Sequence, residues 1–137
     1  MTKGRLLFFT LLLVLSVLLA FIYYNNFHYH TVAAQDLAHA YSKDTTSADQ
    51  EFLNKRLNVT GQVKSHYTLM DSKPVLQLQT YHGDLPLICF FLNDEDRYIS
   101  SQLKEDQIVS VKGKCLGTGA YNLVKGVKIE VESITPQ

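Results

Sequence analysis

The feature that most restricts the fold of this 137-residue chain is an uncharged apolar run close to its N-terminus. The run extends from Leu6 to Tyr24, which is 19 residues without a charged side chain. A helix of that length is roughly 28 Å long, at a rise of about 1.5 Å per residue. The hydrocarbon core of a bilayer is about 30 Å thick, so the two lengths nearly match. The sequence therefore predicts one transmembrane helix over residues 6–24.

A cleaved signal peptide is the alternative interpretation of this run. The apolar region of a signal peptide usually covers about 7 to 15 residues and ends at small residues of the A-x-A type. Here the run is longer, and the weak cleavage candidate Val32-Ala33-Ala34 lies well beyond its end. The pattern favours an uncleaved signal anchor, and cleavage stays open as the alternative.

Basic residues on the two sides of the run predict its direction in the membrane. Lys3 and Arg5 flank the N-terminal side, whereas the first basic residue on the other side is Lys43. By the positive-inside rule, residues 1–5 form a cytoplasmic tail. Residues 25–31 are then a linker, and residues 32–137 form an exported domain. We expect a single-pass membrane protein with this domain on the side away from the cytoplasm.

The charge balance of the exported part argues against one class of partner. The whole chain has 13 basic and 13 acidic residues, and without Lys3 and Arg5 the remainder has 11 basic and 13 acidic. Proteins that bind nucleic acid through its phosphates need a basic surface. We therefore do not expect a general nucleic-acid binder.

The exported part starts with helical spacing of its apolar residues. The stretch Val32–Lys43 is rich in alanine, contains no glycine or proline, and repeats apolar residues at helical intervals, so it predicts an amphipathic helix. Ser47, followed three residues later by Gln50, resembles a capping box and predicts the start of a second short helix. Apolar and polar residues alternate after this point.

Alternation predicts four short strands, and an apolar run after a turn predicts one more, so the total is five. They cover Leu57–Lys64, Val75–Tyr81, Leu87–Leu92, Ile108–Cys115 and Val127–Ile134. The third strand is apolar on both faces, which predicts cover on both sides. Asn93 or Asp94 is a suitable cap for a helix between the third and fourth strands. Gly117-Thr118-Gly119 predicts a flexible loop.

Five strands in this arrangement define a predicted fold class. The expected fold is mainly β: a five-stranded OB-fold Greek-key barrel with a helix between strands 3 and 4. An N-terminal transmembrane helix and an amphipathic helix precede it.

Three segments carry a resemblance to a known family. They are Leu57–Val63, Cys89-Phe90-Phe91 and Val109–Gly117, of which the last has the most specific pattern. Together with the helical segments before them, they resemble the tRNA-anticodon-binding-like OB-fold family of small bacterial membrane-anchored or exported proteins. The resemblance covers roughly Ala33 to Ile134. It implies an OB fold far more than an activity, because one fold serves many functions.

Cys89 and Cys115 are the only two cysteines. Both fall on predicted core-facing strand positions. In an exported domain an even number of cysteines is compatible with a disulfide, provided that the Cα atoms lie within about 7 Å. Two buried reduced thiols are the alternative, and both stay open.

The remaining chemistry-bearing residues do not indicate an enzyme or a metal site. His28 and His30 form an H-x-H pair without a further ligand nearby, and the other histidines are scattered. Asp94-Glu95-Asp96 lacks the glycine and the spaced oxygen ligands of a calcium loop and fits a helix start better. No catalytic motif is present. We therefore predict no catalytic residues, no metal and no cofactor.

Ligands of OB folds usually bind on the face of strands 2 and 3 and the loops beside it, where aromatic rings can stack. Tyrosines and lysines in or near the corresponding segments form a weak set of candidate ligand-binding residues: Tyr67, Tyr81, Tyr98, Tyr121, Lys73, Lys112 and Lys114. Ordinary half-buried barrel positions are the alternative for the tyrosines.

Together with the bacterial source that the resemblance implies, these observations predict a non-enzymatic binding or scaffold module of the bacterial cell envelope. We expect a single-pass protein of the bacterial inner membrane, with residues 32–137 in the periplasm or outside. The expected partner is an envelope protein, a peptide or a glycan. Binding of single-stranded nucleic acid or of an oligosaccharide through the barrel face is the alternative function.

Overall fold

The structure is a computed structural model that describes residues 2–68, 74–121 and 124–137. Its first element is the helix α1, Lys3–Phe27, which has 25 residues and buries none of them. Among the described residues it is the one helix long and apolar enough to cross a membrane. The hydroxyls of Thr10 and Ser16 donate to carbonyls three residues earlier, at 2.8 Å each, so the apolar helix leaves neither group without a partner.

A short strand, β1 (His30–Ala33), follows α1 almost at once. It pairs in parallel with the next strand of the chain, with His30 opposite Leu57. The strand begins within residues 25–31, for which the sequence predicted a linker, and the helix predicted from Val32 begins two residues later, at Ala34. Four residues are too few to show the alternation by which a strand is recognised.

Two helices come next, α2 (Ala34–Lys43) and α3 (Thr45–Phe52). The N-cap of α3 is Asp44, whose Oδ1 accepts hydrogen bonds from the amides of Thr46 and Ser47 at 3.1 and 3.4 Å. The predicted capping box at Ser47 was therefore misplaced by three residues. An aspartate directly before the helix satisfies two of the amides that have no partner within the helix.

Five further strands form the barrel. They are β2 (Arg56–Thr68), β3 (Pro74–Leu78), β4 (Leu87–Phe91), β5 (Ile108–Tyr121) and β6 (Val124–Pro136), and α4 (Asp94–Gln102) lies between β4 and β5. The order around the barrel is β2-β3-β4-β6-β5, and β5 pairs back to β2 to close it. Only β4 and β6 are parallel within this ring. The predicted OB order is confirmed, and β1 makes a sixth strand.

Residues 117–119 belong to a strand and not to the predicted flexible loop. Strand β5 continues through them to Tyr121 and stays paired with β6. The register shifts between Cys115 and Gly117, and Gly117 has a φ of 77°. A side chain at Gly117 would be strained at this angle, so the glycine allows the bulge without ending the strand.

The core lies inside the barrel and under α2. Alternate residues of the strands point inward and are fully buried, as are Ala34, Leu37 and Tyr41 of α2. An added Cβ at Gly61 of β2 would lie 2.7 Å from the Cβ of Ala34. The missing side chain therefore allows the start of α2 to pack directly on the strand.

Candidate ligand-binding face of the barrel

The strand register creates a row of outward-facing residues across the barrel. Tyr67 of β2 lies opposite Val75 of β3, which lies opposite Phe90 of β4. Phe90 in turn lies opposite Glu130 of β6, and Glu130 lies opposite Lys114 of β5. Directly opposite residues share one face of a sheet. The five side chains therefore form one continuous row, which has an aromatic residue at its middle.

A small apolar cluster supports this row from strands β3 and β4. Val75 and Ile88 are fully buried, and Phe90 is half-buried and packs against them. This cluster is separate from the main core, which takes Leu87, Cys89 and Phe91 from the same strand β4. The strand is therefore apolar on both faces because one face fills the barrel and the other belongs to this second cluster.

An open groove of about 390 Å³ lies next to Phe90. It is lined by residues of β4, β5, β6 and α4: Phe90, Phe91, Leu92, Arg97, Leu116, Lys128 and Glu130. Leu92 is 60% exposed and Leu116 is 39% exposed. Ligand pockets commonly measure about 300 to 1,000 Å³ and combine apolar walls with a few polar groups. We refer to these seven residues as the outer groove.

Arg97 supplies the charge at the α4 end of the outer groove. The N-cap of α4 is Asn93, whose Oδ1 accepts a hydrogen bond from the amide of Asp96 at 2.8 Å. The guanidinium Nη1 of Arg97 lies 3.3 Å from a carboxylate oxygen of the exposed Asp94. Its Nε is buried and has no hydrogen-bond partner in the part of the chain that the structure describes. The guanidinium has five N–H donors and the side chain is 40% exposed, so donors that the contact with Asp94 does not use remain available to an incoming acceptor.

The structure brings together only part of the predicted ligand-binding set. Tyr67 and Lys114 both lie on the outward-facing row. Tyr98 lies on α4 and is 68% exposed. Tyr81 lies beyond the opposite end of β4, where its ring contacts that of His39 at a centroid distance of 6.0 Å.

The other predicted positions are in different places. Lys112 lies over the ring of Tyr29, near the end of α1. Lys73 and the side chain of Tyr121 lie outside the described part of the chain.

Sequence reasoning missed the residues that line the outer groove, above all Phe90, Leu92, Arg97 and Leu116. The sequence contained a signal for part of the groove. Phe91 and Leu92 are adjacent large apolar residues at the end of a strand, and the core on one face of the strand can bury only one of their side chains. Leu116 had no comparable signal, because its exposure depends on the bulge that follows Cys115. The position of Arg97 depends on where α4 packs.

Cys89 and Cys115 are both free and buried. Each lies opposite Ile129 of β6, one from β4 and the other from β5. Two strand spacings of about 4.8 Å separate them, which exceeds the Cα distance of about 7 Å that a disulfide allows. The structure therefore contains two buried thiols and not the disulfide that the sequence left open.

Burial also makes both thiols poor nucleophiles. It raises the pKa of Cys89 to about 12. Burial likewise raises the pKa of Cys115, although the neighbouring hydroxyl of Tyr41, at 3.6 Å from the sulfur, partly offsets this effect. The pKa of Tyr41 is itself raised, first by burial and then by its contact with Cys115. Since a thiolate is the reactive form, this cluster fits a structural role.

The histidines and acidic residues do not gather into a metal site within the described ranges, where no group of three or more histidine, cysteine or acidic side chains lies close together. His39 pairs with Asp84 through Nδ1 and Oδ2 at 2.9 Å. The rings of His28 and His30 contact each other, with their centroids 5.5 Å apart. Asp94, Glu95 and Asp96 form the first turn of α4.

Comparison with known proteins identifies the class. The model of the tRNA_anti-like family matches residues 1–128. The chain therefore belongs to the tRNA_anti-like family, and its domain is an OB fold of the anticodon-binding type. No curated protein matches the chain in sequence.

Solved structures with the same fold are distant in sequence. A putative aspartyl-tRNA synthetase from Leishmania major Friedlin is 11% identical with a TM-score of 0.54, over 80% of this chain and 21% of that chain. Asparaginyl-tRNA synthetase from Pyrococcus horikoshii is 16% identical with a TM-score of 0.53, over 77% of this chain and 22% of that chain. An OBody bound to hen egg-white lysozyme is 17% identical with a TM-score of 0.51, over 67% of this chain and 90% of that chain.

These structures share only the fold with this chain. The matched part spans about a fifth of the length of each synthetase.

Proposed function

We propose that this chain is a membrane-anchored OB module that binds a partner protein of the bacterial cell envelope in its outer groove and carries out no reaction itself. The outer groove is the observation that carries the proposal. It combines two exposed leucines, the half-buried ring of Phe90 and the guanidinium of Arg97 in one concave surface. An extended peptide with an apolar side chain next to a carboxylate has the matching chemistry.

The connection between α1 and the barrel supports an anchor that is kept. Cleavage after Val32-Ala33-Ala34 would remove β1 from the sheet together with the first residue of α2. That residue, Ala34, is fully buried against Gly61. A cleaved product would therefore lose part of the fold. With Lys3 and Arg5 inside, the barrel lies on the outer side of the inner membrane.

The comparison with the OBody supports a protein as the partner. That chain is matched over 90% of its length and is bound to lysozyme, so an OB barrel of this size is sufficient to bind a folded protein. The acidic balance of the exported part also favours a protein over a polyanion.

Photo-crosslinking from the groove tests this function. A photoreactive amino acid is placed at Leu116 in the full-length chain, in membranes, and the adducts are identified by mass spectrometry. The matched control is Ile108, which is 45% exposed and lies outside the outer groove. We expect one defined envelope protein to crosslink from Leu116, to be lost in Arg97→Glu and to be absent from Ile108. Equal adducts from both positions, or none from Leu116, would overturn the proposal.

Binding of single-stranded nucleic acid or of an oligosaccharide is the second candidate function. The favouring observation is the ring of Phe90 at the middle of the outward-facing row, where a base or a sugar could stack. The carboxylate of Glu130, which lies directly opposite Phe90 in the sheet, would repel a polyanion. Fluorescence anisotropy with single-stranded RNA and with oligosaccharides at low salt decides it. Affinity that is lost in Phe90→Ala would favour this function, and no affinity would eliminate it.

A further inference from the structure

A cluster of aromatic and charged side chains joins the end of α1 to the barrel. The guanidinium carbon of Arg56 lies 5.3 Å from the ring centroid of Phe27 and 5.7 Å from that of Tyr29. The ammonium nitrogen of Lys112 lies 5.4 Å from the ring of Tyr29. Two cations, from β2 and β5, therefore converge on the residues at which the chain leaves the helix.

One carboxylate, that of Glu132, lies within this cluster. Glu132 accepts a hydrogen bond from the hydroxyl of Tyr29, and its other oxygen lies 3.5 Å from Nε of Arg56. This contact uses one edge of the guanidinium and leaves other donors available. In the described part of the chain Lys112 forms no ion pair. The cluster therefore has more positive than negative charge.

The length of α1 sets the level of this cluster relative to a bilayer. If residues 6–24 fill the hydrocarbon core, then Phe27 lies three residues past its edge, which is about 4.5 Å along the helix. The headgroup layer is roughly 5 to 7 Å thick on each side. Phe27 then lies inside that layer, and Arg56 is in direct contact with its ring. The cationic groups are thus held at the level of the lipid phosphates.

We infer that Arg56 and Lys112, held by Tyr29 and Glu132, form a basic foot through which the barrel binds the phosphate groups of the surrounding lipids. The inference rests on the proposed anchor and adds that the barrel stands on the membrane in one orientation. The part of β5 around Lys112 and the facing part of β6 lie against the headgroups, because Ser133 is directly opposite Lys112.

The chain contains no tryptophan, so a single introduced tryptophan reports on one position. Ser133→Trp places the probe at the basic foot, and Ala120→Trp places it at an exposed position eight residues beyond Lys112 along β5, about 26 Å away. Each full-length variant is inserted in nanodiscs of phosphatidylcholine and phosphatidylglycerol that contain a headgroup nitroxide lipid. We expect strong quenching of the probe at position 133 and little at position 120.

A pair of charge variants separates lipid binding from mere proximity. In the Ser133→Trp chain, Arg56→Gln with Lys112→Gln should lose most of the quenching, whereas Lys104→Gln with Lys125→Gln, two exposed lysines away from the foot, should retain it. Circular dichroism confirms that each variant is folded. Equal quenching at positions 133 and 120, or full quenching after loss of Arg56 and Lys112, would overturn the basic foot.

Flotation of the same chains with liposomes tests the anchor separately. A chain that floats but shows no position-dependent quenching contradicts only the basic foot. A chain that does not float contradicts the anchor, and with it both proposals.

Discussion

At the residue scale, the two cysteines show how strand register decides chemistry. Their separation along the chain left a disulfide open, because pairing depends on which strands are neighbours. In the barrel β6 lies between β4 and β5, so Cys89 and Cys115 both face Ile129 and not each other. The order of the strands in the barrel therefore decides between a disulfide and two free thiols. The spacing of two cysteines along the chain does not predict that order.

Alkylation of the native chain should leave both cysteines unmodified, because both are buried and protonated at neutral pH. Iodoacetamide in denaturant and without reductant should then modify both, and intact mass measures the number of additions. Rapid labelling of the folded chain would contradict the burial. A denatured chain that accepts no label would show a disulfide.

Stability should fall with rising pH above about 9. The ordinary pKa of a cysteine thiol is 9.0, and in the folded chain that of Cys89 is about 12. Because the pKa of Cys89 is higher in the folded chain, its thiol ionises first in the unfolded chain as the pH rises. The contribution of this thiol to the free energy of unfolding is therefore fully present below pH 9 and is lost above it. The slope is at most about 1.4 kcal/mol per pH unit for one group.

Urea unfolding between pH 8 and pH 10.5 measures this loss. In Cys89→Ala the chain is less stable at every pH, but its stability should decline less steeply as the pH rises. Parallel curves for the two chains would show that Cys89 does not contribute to the pH dependence.

At the element scale, long elements were predicted well and short or irregular ones were not. Helix α4 and four of the barrel strands have periodic patterns, and the third strand is a continuous apolar run, so the local sequence is sufficient to predict all of them. Strand β1 has four residues, and its pairing with β2 is a long-range contact. Residues 117–119 have the composition of a loop, yet pairing with β6 holds them in a strand. Tertiary pairing therefore decided both differences.

The candidate site was likewise predicted only in part, because local sequence does not give the register of the strands. The tyrosines and lysines were chosen by their position near loops, whereas the outward-facing row depends on the register of four strand pairs. Tyr67 and Lys114 fall on that row. Phe90 was recognised only as part of an apolar strand, because its face becomes apparent once Val75 and Glu130 are placed beside it.

Replacement of the cap of α4 should affect both stability and the outer groove. In Asn93→Ala the amide of Asp96 loses the oxygen that it donates to, so the free energy of unfolding should fall by about 1 kcal/mol. Arg97 lies in the same first turn, so crosslinking from Leu116 should also weaken. Asn93→Ser keeps a capping oxygen and serves as the matched control. Equal stability of both variants would show that the cap does not hold α4.

At the scale of the whole molecule, the helix and the barrel are connected by more than a linker. Only His28 and Tyr29 separate α1 from β1, and β1 belongs to the sheet. Tyr29 also contacts Glu132 of β6, more than a hundred residues away in sequence. The end of the apolar helix is thus part of the folded domain, which is why we propose an anchor that stays attached.

The intact mass of the protein from bacterial membranes tests this central claim most directly. A C-terminally tagged chain is expressed, the membrane and soluble fractions are separated, and each product is weighed by mass spectrometry. We predict the full-length chain of 15.5 kDa plus the tag, in the membrane fraction and resistant to carbonate extraction. A soluble product that begins at or near Gln35, after the weak cleavage site, would contradict the account.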